Sequence, residues 1–303
     1  MIHAIIDIGS NTVRMAIYQI EYGKIELLMK KKHMLGLAAY IRDGVMQQNG
    51  IDKACETLLE FKGFLNSFKI TEITAFTTAA LRNIKNSQEA VQQIIDRTSI
   101  RVRVISGDEE ATFDFIGATH TTSEPSGLLI DIGGASTEII VYEDYEIREK
   151  ISLHMGSLIF HTKYVEGFLP SHEEIVDMEA ETLRIVSEAP EFSKLIQANI
   201  CGIGGTFKGA AALYNEIFEQ PKKNKDIAAD KLDAIIHRFT CDEGMVSEDG
   251  VILMKTVPDR IQTIIPGLVI ANVLAKHFGS KQITYSDSGV REGYIYDQII
   301  REK

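Results

Sequence analysis

Two stretches of this chain set an aspartate at the end of a β-branched apolar run and follow it with glycines and small polar residues. They are Ile5-Ile6-Asp7-Ile8-Gly9-Ser10-Asn11-Thr12 and Leu129-Ile130-Asp131-Ile132-Gly133-Gly134-Ala135-Ser136-Thr137. Each leads into a second strand-like run, Val13–Tyr18 and Glu138–Tyr142. The pattern reads as a β-hairpin whose turn carries little side chain, so its backbone N–H groups can close around an oxyanion while the aspartate reaches a cation. A third glycine-rich segment, Gly202-Ile203-Gly204-Gly205-Thr206, precedes a helical pattern, and a helix N-terminus presents unsatisfied N–H donors to an anion. It is not a P-loop, since no Gly-Lys-Ser/Thr follows and Lys208 is offset, nor is it a dinucleotide fingerprint. Together these segments point to phosphate and metal binding by a duplicated fold.

Two further groups supply side-chain chemistry. Thr77-Thr78-Ala79-Ala80-Leu81-Arg82 follows a strand, and one arginine after a hydroxyl pair suits bidentate phosphate recognition as well as it suits the start of a surface helix. Ser106-Gly107-Asp108-Glu109-Glu110 clusters acids where a helix begins. The macrodipole favours acids there in any case, and phosphoanhydride hydrolysis also requires a carboxylate to take a proton from water. Asp287-Ser288-Gly289-Val290-Arg291-Glu292-Gly293 reads by itself as an ordinary turn. The histidines show no metal-binding spacing, and His154 and His161 read as structural or surface residues.

The elements that must position these groups alternate. The first half predicts the opening hairpin, a strand at Ile25–Lys30 and a helix over Gly50–Lys69. A strand at Ile73–Thr77, a helix at Ser87–Arg97, a strand at Arg101–Ile105 and a helix from Gly107 follow. A polar stretch, Thr119–Ser126, is the candidate linker. The pattern then restarts, with strands at Leu128–Asp131, Glu138–Tyr142, Glu146–Ser152, Asn199–Gly202 and Gln282–Ser286. Helices are expected at Glu173–Glu188, Gly205–Tyr214, Lys231–Phe239, Pro266–Phe278 (with Pro266 in its first turn) and Glu292–Arg301. The domains expected are 1–120 and 121–303, the last helix packing back on the first.

Composition bounds the partners. The chain has 303 residues, a formal net charge of −11 and 25% charged residues, so nucleic acid is an unfavourable partner. Lys30-Lys31-Lys32 and Lys222-Lys223-Asn224-Lys225 are the basic runs, better read as solvated surface. Cys55, Cys201 and Cys241 lack metal spacing, which suits a reducing cytoplasm. No membrane partner is expected, because the longest apolar run, near Leu268–Ala275, is too short to span a bilayer.

The segments DIGSNTVRMAIY, TTAALRNIKNSQE, ISGDEEA, LLIDIGGASTEI, CGIGGTFKGAA, the pair Asp259-Arg260 and SGVREG resemble, in order and nearly end to end, those of the exopolyphosphatase/guanosine pentaphosphate phosphatase (Ppx/GppA) family. That family lies within the sugar kinase–Hsp70–actin superfamily. The resemblance implies an α/β fold of two actin-like (ribonuclease H-like) domains, each with a mixed five-stranded sheet, and an interdomain cleft. It implies Glu110 as catalytic base, Arg82 as phosphate contact and Asp131 as a metal- and water-positioning acid. Gly9, Ser10, Asn11, Gly133, Gly134, Ser136, Gly204, Gly205 and Thr206 fall on phosphate-loop positions. Asp7, Asp131 and Glu110 are the metal candidates, for Mg²⁺ or Mn²⁺ in its place. The activity implied is release of terminal phosphate from polyphosphate or guanosine pentaphosphate by a cytoplasmic homodimer. A superfamily kinase using ATP and a non-catalytic polyphosphate or alarmone sensor are the alternatives.

Two departures stand out. The family's second loop usually reads DIGGGST, whereas this chain has Ala135 in place of the third glycine. The arginine common after the glycine at 156 is missing from Gly156-Ser157-Leu158-Ile159-Phe160. The sequence ends where longer members of the family continue into an added helical domain, so the resemblance implies processive degradation of long polyphosphate less strongly than phosphate release itself.

Overall fold

A computed structural model of the chain describes residues 1–122, 124–189, 192, 199–240 and 247–301, so Cys241 lies outside it. The chain forms two compact units, Met1–Glu110 with Tyr294–Lys303, and Ala111–Gly293.

The first unit opens with β1 (Ile2–Ile8), β2 (Thr12–Glu21) and β3 (Lys24–Met34), an antiparallel meander. Tyr22 and Gly23 turn β2 into β3 with φ of 50° and 72°, the left-handed pair that a two-residue hairpin requires. A small hairpin, β4 (Ile41–Arg42) with β5 (Val45–Met46), precedes α1 (Gln48–Ser67). Ile51, Cys55, Leu58, Phe61 and Leu65 of α1 fall on one helical stripe and are buried in the unit's core. Then come β6 (Ile73–Thr77), α2 (Ala79–Arg82), α3 (Ser87–Thr98), β7 (Val102–Val104) and the first turn of α4 (Gly107–Thr119). The sheet order is β3-β2-β1-β6-β7, with β6 parallel to β1 and β7 parallel to β6. β1 is buried on both faces, as a strand at this central position must be.

The second unit repeats the plan. β8 (Gly127–Ile132), β9 (Thr137–Glu143) and β10 (Glu146–Leu153) form the meander. Asp144 and Tyr145, with φ of 54° and 59°, make the same kind of turn. α5 (Ser157–Tyr164) and α6 (His172–Ser187) lead to β11 (Asn199–Ile203), α7 (Gly204–Ile217), β12 (Asp226–Ala228) and α8 (Leu232–Arg238). The unit closes with α9 (Ser247–Thr256), α10 (Ile261–His277) and β13 (Gln282–Ser286). The sheet order is β10-β9-β8-β11-β13-β12. This sheet therefore has six strands where five are expected. The extra one is β12, which pairs antiparallel with β13 and accepts the Thr284 hydroxyl on Asp226 Oδ1 at 2.7 Å.

Several helices differ from expectation. α5 and α9 are unexpected from the pattern. α10 begins at Ile261, which puts Pro266 inside the helix and not in its first turn. Pro266 offers no N–H to the preceding turn, and the helix survives because its length is buried among apolar neighbours. The C-terminal helix splits into α11 (Val290–Tyr294) and a π-helical turn at Ile295–Ile300, whose neighbour Tyr294 stacks on Phe76 with ring centroids 5.2 Å apart. Among the described residues, no helix is long and apolar enough to cross a membrane.

Candidate active site

The two hairpin loops are held in the same manner. In the first, Gly9 N–H donates to Thr12 O (3.1 Å) and closes the turn. Ala38 N–H then donates to Ser10 O, and Leu35 and Gly36 N–H donate to Asn11 O, all at 3.0 Å. In the second, Gly133 N–H donates to Ser136 O (2.9 Å), and two successive carbonyls are again engaged, here one position earlier in the turn. Ser157 N–H and Oγ donate to Gly133 O at 2.9 and 3.1 Å, while Leu158 and Ile159 N–H donate to Gly134 O at 3.0 Å. A trans peptide carries its N–H opposite its C=O. Pinning these carbonyls on one side therefore turns the N–H groups of the following residues to the other, an arrangement suited to an oxyanion.

Glycine has a specific purpose at Gly156. A Cβ there would lie 2.5–2.6 Å from the backbone of Gly134 and Ala135, so only glycine lets α5 seat its N-terminus on the loop. Ala135 is buried and is absent from the residues with positive φ. Its methyl therefore fits without backbone strain.

The third segment begins α7. Ile203 supplies no side-chain cap, which leaves the helix's opening N–H groups to other acceptors. Gly204 has φ +82°, and a Cβ on it would collide with the Asp131 carboxylate. A Cβ on Gly205 would collide with the Arg260 guanidinium. Thr206 Oγ1 donates to Ile132 O at 2.8 Å and ties this helix start to the second hairpin. A carboxylate-bearing loop, a helix N-terminus and a guanidinium thus converge. Two positive features gathered at one point call for an anion.

In the first unit, Thr77 Oγ1 donates to Ile8 O at 3.0 Å, the counterpart of the Thr206 contact. Arg82, at the end of α2, donates from Nη1 to Glu110 Oε2 at 2.6 Å and to Ile105 O at 3.3 Å. The two charged side chains are 14% and 11% exposed. The acidic trio at the start of α4 divides cleanly. Glu109 forms a capping box with Ser106 (2.8 and 3.1 Å) and pairs with Arg103, and Asp108 is exposed. Only Glu110 is buried against the arginine.

Two residues outside the sequence-predicted set belong here. Arg260 is one. The other is Glu138, 1% exposed, whose Oε1 accepts the Ser152 hydroxyl at 2.7 Å. In the β8–β9 ladder Glu138 stands directly opposite Asp131. Like charges in that position are mutually destabilising unless a cation or donors lie with them. Asp7 of the first hairpin instead faces Arg14 across the β1–β2 ladder. The Asp131–Glu138 position was countable once the turn length was known, since the pairing runs outward from Ile132–Thr137. Sequence names Arg260 only within the family-like pair Asp259-Arg260 and gives it no role, because its partner glycine lies 55 residues earlier.

The closing glycines act otherwise. A Cβ on Gly293 would enter the Phe113 carbonyl, and one on Gly117 would enter the backbone of Gly289, so these glycines let α4 pack closely against the SGVREG segment. Gly289 N–H also donates to Glu292 Oε2 at 3.1 Å. A cavity of about 520 Å³ in the second unit is lined by Tyr142, Cys201, Lys225 and Thr284 among others, and by none of the phosphate-loop residues. Burial pushes the Cys201 thiol and the Tyr142 hydroxyl up to about 12, so neither is a nucleophile at neutral pH.

Among the described residues, no three His, Cys, Asp or Glu side chains form a ready-made metal cluster. Mg²⁺ is commonly held by one or two carboxylates with phosphate and water completing its shell. The hard oxygen pair Asp131–Glu138 fits that pattern.

The Ppx/GppA phosphatase family model matches residues 16–302. A Haemophilus influenzae protein named "Putative exopolyphosphatase" is 30% identical over 296 residues, 97% of this chain and 90% of that protein. A guanosine-5'-triphosphate,3'-diphosphate pyrophosphatase of Pseudoalteromonas atlantica is 28% identical, the match covering 98% of this chain but 58% of the relative. The crystal structure of the Aquifex aeolicus member of the family matches with a TM-score of 0.78 at 26% identity, covering 100% of this chain and 99% of that one. By the family match, the relative at 30% identity and the shared fold, the chain belongs to the Ppx/GppA phosphatase family of hydrolases.

Proposed function

We propose that the protein releases terminal phosphate from inorganic polyphosphate or guanosine pentaphosphate, with Glu110 accepting the proton of the attacking water. The pairing of Glu110 with Arg82 carries this reading. It brings a proton acceptor within 2.6 Å of a group suited to a terminal phosphoryl oxygen. Arg82 orients the phosphoryl group. The N–H groups of the Gly133–Ser136 loop and the start of α7, with Arg260, hold the oxyanions. Phosphoryl transfer depends chiefly on such positioning and on fixed positive charge. Asp131 and Glu138 would hold Mg²⁺, which neutralises developing charge on the phosphoryl oxygens when bound. We also take the protein to be a homodimer and to work in the cytoplasm, the latter setting supported by the free thiols of Cys55 and Cys201.

The test is phosphate release from short polyphosphate, long polyphosphate and guanosine pentaphosphate in Mg²⁺, wild type beside Glu110→Gln. Loss of a base of this kind costs about 10²–10⁴ in kcat. Equal release by both proteins would remove Glu110 from this role. No release by folded wild type would remove the activity itself.

A further inference from the structure

We infer that Arg82 is a gate as well as a ligand: it holds Glu110 until a substrate phosphate takes the guanidinium away. This inference rests on the hydrolytic reading above. The 2.6 Å contact between Arg82 Nη1 and Glu110 Oε2 is a charge-assisted hydrogen bond between side chains that are mostly out of water. The carboxylate oxygen that accepts from the guanidinium has that lone pair committed to it. A water molecule offering its proton to the same oxygen competes with a cation. A base held in this way is a weak one.

The surroundings make the pair specific. Glu110 cannot drift, because its backbone N–H donates to Ser106 O (2.9 Å) and the turn is locked by the Ser106–Glu109 capping box. Arg82 is also anchored, through Nη1, on the Ile105 carbonyl. A guanidinium has five N–H donors in a planar fork, so it can turn toward a phosphate without leaving that anchor. A terminal phosphoryl group carries more charge than a carboxylate and can accept two of those donors at once. Substrate then exchanges one anion for another on Arg82, and Glu110 is released to take the proton from water. Part of the phosphate's binding energy is spent in parting the pair, and the base becomes available only when there is something to hydrolyse.

The gate predicts that weakening Glu110's hold on Arg82 tightens phosphate binding. Inorganic phosphate is the probe, titrated calorimetrically into the full chain in Mg²⁺, with circular dichroism confirming the fold of each variant. Glu110→Gln should bind phosphate about tenfold tighter than wild type, the scale of one charge-assisted hydrogen bond. Glu110→Asp keeps the charge but shortens the reach, and should also bind tighter. In an Arg82→Ala background the Glu110→Gln gain should fall below about twofold. Repulsion between carboxylate and phosphate gives a different signature: Glu110→Asp unchanged, and the Glu110→Gln gain preserved without Arg82. That signature, or Glu110→Gln binding no tighter than wild type, overturns the gate. Phosphate release by wild type is measured alongside, so failure of the gate and failure of the hydrolytic reading are separate results.

Discussion

Gly205→Ala separates folding from anion binding. Gly205 is the second residue of α7 and does not have positive φ, so alanine is acceptable there on backbone grounds. Within a helix, alanine is favoured over glycine by up to about 1 kcal/mol, and by less in the first turn. The new Cβ would stand 2.2 Å from Arg260 Nη2, against 3.4 Å for an ordinary contact, so the guanidinium must retreat by about 1.2 Å. The obstacle is the end of a flexible side chain, which moves at little cost to stability. A hydrogen bond of about 2.9 Å lengthened by that amount ceases to be one. The loss is one charge-assisted interaction, about 1.5–3 kcal/mol, or about 10- to 150-fold in phosphate affinity and in kcat/KM. The assay is calorimetric phosphate binding and polyphosphate hydrolysis, with a thermal melt of the same sample. Expected are an unchanged or slightly raised Tm and a large loss of affinity. Full affinity in the folded variant would refute the placement of Arg260 on the bound anion. Gly204→Ala is the contrasting control, since φ +82° and the Asp131 carboxylate both oppose a Cβ and stability should fall with activity.

Three other outcomes follow from the same geometry. Gly293→Ala drives a Cβ into the Phe113 carbonyl, where no flexible side chain can yield. It should destabilise by about 3 kcal/mol in urea melts, and a midpoint equal to wild type would disprove the close approach. Ala135→Gly should cost about 0.5–1 kcal/mol through backbone entropy and keep phosphate release within about twofold, because the native methyl is unstrained; a gain in both stability and rate would show strain at Ala135. His161 is held below its ordinary value of 6.5 by burial, and its Nδ1 has no hydrogen-bond partner. The unfolded chain therefore takes up a proton that the folded chain resists, so stability present above pH 6.5 declines as pH falls through the folded value. Replacing His161 with glutamine should flatten that part of the stability–pH curve, and an unchanged slope would assign it to other groups.

The two hairpin loops were legible because their grammar is local: an apolar run, an aspartate, glycines and a second apolar run lie within about a dozen residues. The burial of Glu110 on Arg82 was not, since 28 residues separate them and only the packing of α4 beside α2 selects Glu110 from its neighbours. α5 went unseen because Ser157-Leu158-Ile159-Phe160 is an apolar run without helical alternation, and its helical form comes from seating on Gly133 and Gly134. α10 was truncated for a related reason. Pro266 looks like a first-turn residue, yet Ile264 and Ile265 ahead of it are already buried core. β12 has only three residues, too few for any periodicity to show. The SGVREG glycines looked like a turn, and their purpose depends on Phe113 and Gly117, far away in sequence.

The duplication extends to the backbone carbonyls, where sequence does not show it. Thr77 and Thr206 tie down Ile8 and Ile132, and both loops have two successive carbonyls engaged by N–H groups arriving from after the third strand. Symmetry of that kind would suit two equivalent phosphate sites. The side chains break it. Asp7 faces Arg14, so the first loop's acid has a cation across the ladder, while Asp131 faces Glu138 and the second loop concentrates negative charge. The first unit supplies the Arg82–Glu110 pair. A duplicated scaffold has thereby acquired two unlike halves: one concentrating carboxylates suited to a cation, the other a proton acceptor restrained by an arginine. On the proposed hydrolytic reading both functions are needed, which is a physical reason for the two copies to have diverged in their side chains while keeping the same hairpin plan.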